Sequence, residues 1–131
     1  METYADFGKF ALSLPWENRE FYINYLAQTY HYVDHTHQLL CLVAGNCDKS
    51  LEKIRARFIE HASEEKGHEH LLKQDLHCLG ARLDQYPEVP QTKNFYEIQF
   101  FQIQHVSPMA MFGYITVLEG LTYLYSKKNL K

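Results

Sequence analysis

Apolar residues in this chain recur at spacings of three and four over long stretches, and no segment alternates convincingly enough for a strand. That spacing is the mark of helices with one buried face. In "SLPWENREFYINYLAQTYHYVDHTHQLLCLVAGN", Tyr22, Leu26, Thr29, Val33 and Leu40 trace one such face. Ser13 and Pro15 supply a start and Gly45-Asn46 a stop, so the pattern predicts one long helix. Asp48 and Ser50 are caps for a second helix, which "LGARLDQYP" ends near Gly80. That second helix is predicted to run roughly thirty residues, or about 45 Å at 1.5 Å per residue. "DQYPEVPQTKN", with Pro87 and Pro90, reads as a loop. A third helix, "NFYEIQFFQIQHV", breaks at Ser107-Pro108, and the last fills most of "MAMFGYITVLEGLTYLYSKK". With a short helix over residues 3–12, the expectation is a single all-α domain spanning residues 1–131.

The second helix carries the densest chemistry. "IEHASEEKGHEHLL" holds three histidines and four glutamates in fourteen residues. The apolar stripe before it is Leu51, Ile54 and Phe58, and the stripe after it is Leu72, Leu76 and Leu79. Continued through the cluster, the same spacing lands on His61, Glu65 and His68. Ionisable groups thus occupy core positions where a plain bundle has Leu or Ile. Glu60, Lys66, Glu69 and His70 fall on the surface, with Glu64 at the edge of the inner face. A buried unpaired carboxylate costs several kcal/mol unless it is hydrogen-bonded, neutralised or bound to a cation. Carboxylate and imidazole at i and i+3 on an inward face is the ligand spacing of di-iron and di-manganese bundle sites. A hydrogen-bonded Glu65–His68 pair without metal satisfies the same pattern.

From Met109 to Tyr125 the last helix is apolar or aromatic nearly all round, which predicts a buried helix. Its single charge, Glu119, is flanked on its own face by Phe112, Ile115 and Thr122. Buried acids on two helices, with no Lys or Arg on those faces, call for a cation or for His and Tyr partners. On the first helix His31 and His35 are at i and i+4, opposite the apolar stripe and beside Asn24, Gln28 and Gln38. That polar face is either solvent or the wall of a pocket, and Tyr and Phe side chains, Tyr123 among them, would shape its apolar part. His37, His77 and His105 have no partner at ligand spacing.

Composition narrows the classes. Hydrophobic residues at 46% with 22% charged describe a globular chain rather than a disordered one. A formal charge of -3 and no long basic run argue against nucleic acid. Cys41, Cys47 and Cys78 are odd in number and lack CxxC spacing, so they read as free thiols of a cytoplasmic protein. No signal peptide is visible, and "PMAMFGYITVLEGLTYLY" is short for a membrane span and interrupted by Glu119.

"YLAQTYHYVDHT", "HASEEKGHEHLLKQDLHCLG" and "PMAMFGYITVLEGL" together resemble the successive helices of haem-oxygenase-like iron-containing redox proteins, related in fold to TenA thiaminases and the PqqC oxidase. The resemblance covers roughly residues 20 to 125. It implies a haem-oxygenase/TenA-like bundle holding non-haem iron, in some members two irons, with no organic cofactor, that activates O2 to oxidise a small molecule. Carried over by position, His68 matches the histidine of the second helix and Glu119 the later glutamate. Glu65 is the first choice for the remaining glutamate, with Glu64 and His61 as second choices. The family's final helix, with its His-x3-Asp-x2-His set, does not follow, because the chain ends at "YSKKNLK". The expectation is therefore a bundle shortened at its C-terminus, with either a homodimer completing the site or a non-catalytic relative used for binding or assembly. A cofactor-free TenA- or PqqC-like reaction is the third reading.

Overall fold

The computed structural model describes residues 2–126, with side-chain surroundings given for 6 and 8–120. Among these residues there is no strand, and the α-helices are α1 Glu2–Ser13, α2 Arg19–Val33, α3 Thr36–Asn46, α4 Glu52–Glu65, α5 His68–Cys78, α6 Pro90–His105 and α7 Met111–Ser126. Single turns of 3-10 helix at Lys49–Leu51, Leu83–Gln85 and Pro108–Ala110 join them. The all-α class is as the spacing predicts, but both long helices are broken. The first stops at Val33 because His35 N donates to Tyr32 O, an i−3 bond that tightens the turn and kinks the rod. The second is interrupted at Lys66-Gly67, where Gly67 takes φ +92, a left-handed conformation that breaks the ladder.

The two breaks divide the core in two. Before the kink, Ile23, Leu26 and Ala27 of α2 pack with Leu76 of α5 and Ala81. Beyond it, Leu39, Leu40, Val43 and Ala44 of α3 join Phe58 and Ala62 of α4 in the larger cluster, which Tyr96, Ile103, Met111 and Tyr114 complete. The chain is thus an antiparallel hairpin of two broken rods, α2–α3 against α4–α5, with α6 laid across it. Tyr22, expected inside, is exposed, since the buried stripe of α2 runs through Ile23 rather than Tyr22.

Local signals account for most ends. Asn18 caps α2, its Oδ1 accepting from Phe21 N at 3.0 Å, so that helix begins later than Ser13 and Pro15 suggested. Asp48 Oδ1 accepts from Ser50 N at 2.8 Å and opens the turn that leads into α4. α5 ends in a Schellman motif: Ala81 N reaches Leu76 O, Gly80 N reaches His77 O, and Gly80 sits at φ +68. Pro90 takes the first position of α6, so that helix starts inside the stretch expected to be loop. Ser107 breaks the chain where expected and caps the Pro108–Ala110 turn.

α7 corrects a further expectation. Met111 and Tyr114 are buried, but Phe112, Val117 and Glu119 are exposed. The helix rests on α6 and the Pro108–Ala110 turn, meets α4 through Phe112 on Phe58 and Glu119 on His61, and is only partly covered by the described residues. No helix among the described residues is long and apolar enough to cross a membrane.

Candidate metal centre

Four of the five ligand candidates form one connected run. His61 comes from the last turn but one of α4, Glu65 from its end, His68 from the start of α5 and Glu119 from α7. His61 Nε2 lies 3.4 Å from Glu65 Oε1 and 3.4 Å from Glu119 Oε1. On its other oxygen, Oε2, Glu65 accepts a 2.9 Å hydrogen bond from His68 Nδ1. His61 is 13% exposed, Glu65 24%, His68 50% and Glu119 65%. The inner phase therefore holds through His61 and Glu65, and the left-handed turn at Gly67 then swings His68 outward. Glu119 is not buried as its sequence surroundings suggested, because among the described residues α4 covers that side of α7 only in part, with His61 at Glu119 and Phe58 at Phe112.

Glu64, the second-choice glutamate, faces away and pairs with Arg57 at 3.3 Å. Glu69, expected on the surface, is half-buried beside His70. The pocket-lining candidates separate. His31 Nε2 donates to Tyr86 O at 3.0 Å and ties α2 to the turn after Leu83–Gln85. His35 stacks on Tyr96 of α6 at 3.9 Å between ring centres. Tyr123 lies outside the residues whose side chains are described. The polar face is split: Gln28 bonds Pro87 O, Val89 N and Thr92 Oγ1, while Asn24 and Gln38 are exposed. An open cavity of about 490 Å³ lies beside it, lined by Phe21, Asn24, Tyr86 and Pro87 among others, and includes none of the ligand candidates.

The donor chemistry of the run suits iron. Imidazole and carboxylate are ligands for Fe(II), and neither Glu65 nor Glu119 pairs with Lys or Arg among the described residues. As placed, no three of the described side chains converge on one point. One oxygen of Glu65, Oε2, already orients His68, whose Nδ1–H donates to it and whose Nε2 keeps its lone pair free, while Oε1 faces His61 and is the oxygen left for a metal.

Two features were not legible from ligand spacing. His37, given no role, donates from Nδ1 to Ala62 O at 2.7 Å, one residue past His61. Tyr114 is buried with no hydrogen-bond partner for its hydroxyl among the described residues, and burial pushes that phenol well above the usual range. The only sequence cue for the first is the i, i+4 spacing of His37 and Cys41; for the second there is none.

No curated protein and no solved structure matches the chain. The family described as iron-containing redox enzyme, haem-oxygenase-like in fold, matches residues 23–131, which take in α2 from Ile23 onward and all of α3 to α7, and the chain belongs to that family.

Proposed function

We propose that the protein is an iron-dependent redox enzyme of the oxidase or oxygenase type, acting on a small organic substrate, with Glu65, His68 and Glu119 as iron ligands and His61 beside them. The observation that carries this reading is the unbroken run Glu119–His61–Glu65–His68, which joins α7, α4 and α5 without a single Lys or Arg. Non-haem iron bound there supplies a centre able to activate O2. The chain's own groups have separate tasks. Glu65 holds the His68 ring with Nε2 outward. His61 Nε2 stands 3.4 Å from both carboxylates, where its N–H can donate to one of them. Phe58, one turn before His61, and Phe112, two turns before Glu119, meet with ring centres 5.2 Å apart and set an apolar contact beside the run. A dinuclear centre needs more donors than these four, and we take a second copy of the chain as their source. The three free cysteines fit a reducing cytosol, where we place the protein.

A second reading has one observation in its favour: the imidazoles and carboxylates already satisfy one another, as in a metal-free binding or assembly domain. Iron analysis of purified protein separates the two. Near-stoichiometric iron, lost in the His68→Ala/Glu119→Ala variant, is the expected result. Iron that the variant retains, or iron far below one per chain after iron-supplemented expression, supports the metal-free domain.

A further inference from the structure

The three free cysteines have different surroundings. Cys47 is buried in the larger core cluster, and burial pushes its thiol above the ordinary range. Cys78 is exposed on α5, with no hydrogen-bond partner for its sulfur among the described residues. Cys41 is exposed on α3, and its Sγ lies 3.8 Å from Nε2 of His37, one helical turn earlier.

The state of the His37 ring follows from its other contact. Nδ1 is 2.7 Å from the carbonyl oxygen of Ala62. A carbonyl only accepts, so Nδ1 carries the proton, and the neutral ring keeps its lone pair at Nε2, toward the sulfur. Ala62 lies in the last turn of α4, where carbonyls run short of intrahelical donors, so a donor from the neighbouring helix satisfies it. Nucleophile, base and a third group that orients the base are therefore in series, which is the arrangement that activates a thiol. The open setting decides what such a thiol meets. Cys41 is exposed, so a small solute reaches it from solvent.

We propose that Cys41 is a modification site at which a small hydroperoxide oxidises the thiol to a sulfenic acid, with His37 as the base. The thiol proton passes to Nε2 as sulfur attacks the terminal oxygen of the peroxide. The S–O bond forms and the O–O bond breaks. The departing oxygen takes the proton back from His37 and leaves as water or an alcohol. Sulfur is oxidised by two electrons and the peroxide is reduced by two, giving Cys–SOH and ROH from Cys–SH and ROOH. Cys47 is buried and so is kept from trapping the product as a disulfide, and the sulfenic acid on exposed Cys41 is open to a probe.

The full chain, with a chelator present so that trace iron forms no radicals, is treated with hydrogen peroxide and dimedone, and each cysteine peptide is quantified by mass spectrometry. Dimedone on Cys41 is expected to exceed that on exposed Cys78 by about tenfold, below the roughly 10²–10⁴ that a positioned base contributes in closed sites. His37→Asn keeps a donor near the Nδ1 position for Ala62 but has no base at Nε2, and is expected to bring Cys41 down to the Cys78 level. Equal labelling of Cys41 and Cys78 in the unaltered protein overturns the proposal, whatever the variant does. A Cys41 preference that survives in folded His37→Asn overturns it as well.

Discussion

Glu65 meets an imidazole on each of its oxygens, whereas Glu64, its neighbour, meets Arg57 alone among the described residues. Side by side in sequence, they make a controlled pair for the proposed iron site. Glu65→Gln removes the charge and turns one of the two acceptor oxygens into an NH2 donor, so that His61 and His68 no longer each find an acceptor on it, and is expected to weaken iron retention about 10–100-fold, as loss of an orienting carboxylate does. Glu64→Gln is expected to change it little. Competition with a chromogenic chelator reads both, and equal effects would refute the assignment of Glu65. Tyr114 offers a second test at this scale. A buried hydroxyl without a partner costs about 1–3 kcal/mol, so Tyr114→Phe is expected to leave the melting temperature unchanged or raise it. A clear fall would mean that the hydroxyl is bonded. Because burial raises the Tyr114 phenol, the folded state keeps it neutral after the unfolded chain has begun to ionise. The stability it contributes is complete below about pH 10 and is lost as pH rises through the higher folded value, which an alkaline melt of wild type against Tyr114→Phe detects.

Helix breaks rather than helix faces shape the elements. At Gly67, φ +92 is the left-handed region, and an added Cβ would meet only His70 Cδ2 at an ordinary 3.9 Å. The cost of Gly67→Ala is therefore backbone strain rather than collision, roughly 1–2 kcal/mol, and thermal melting is expected to show it. Asp48, at the start of the other end of that rod, is held below the usual carboxylate range by Ser50, first through its hydroxyl and then its backbone N–H. Its contribution is present above the unfolded value of about 3.9 and lost as pH falls through the lower folded value. Asp48→Ala is expected to lower the melting temperature at neutral pH and to flatten its decline below pH 4. Apolar spacing located α4 and α5 and the stripe Ile54, Phe58, Leu72, Leu76 within them, because burial of that stripe follows from periodicity alone. The same spacing could not show the interruption at Gly67, since a glycine inside a helical pattern is compatible with continuity; its left-handed φ is a product of the fold.

At the scale of the molecule, the same limit explains which parts of the site were legible. His61 and Glu65 lie where phase put them, because α4 is regular up to Glu65. Glu119 does not, because an all-round apolar helix implies burial only if neighbours cover every side, and coverage is a property of the whole assembly. The uncovered surface has its own consequence. Ile98 and Phe101 of α6, Val106 and Met109 of the turn after it, and Phe112 and Val117 of α7 are all exposed. Monomers seldom leave contiguous apolar patches larger than a few hundred Å² in water, and closed two-fold pairing is the commonest way a single chain covers one. The candidate ligands open toward the same helix: Glu119 is on α7, in contact with His61, and largely solvent-exposed. A second copy seated on α7 would bury both the apolar residues and the outer oxygen of Glu119. Light scattering coupled to size exclusion is therefore expected to give a mass twice the 15.5 kDa of one chain. Phe101→Asp and Phe112→Asp, each placing a charge in the contact, are expected to return it to a single-chain mass with circular dichroism unchanged. A wild-type protein that stays at the single-chain mass up to high concentration would show that no second copy covers this side. Iron in such a monomer would mean that its site does not draw donors from a neighbour.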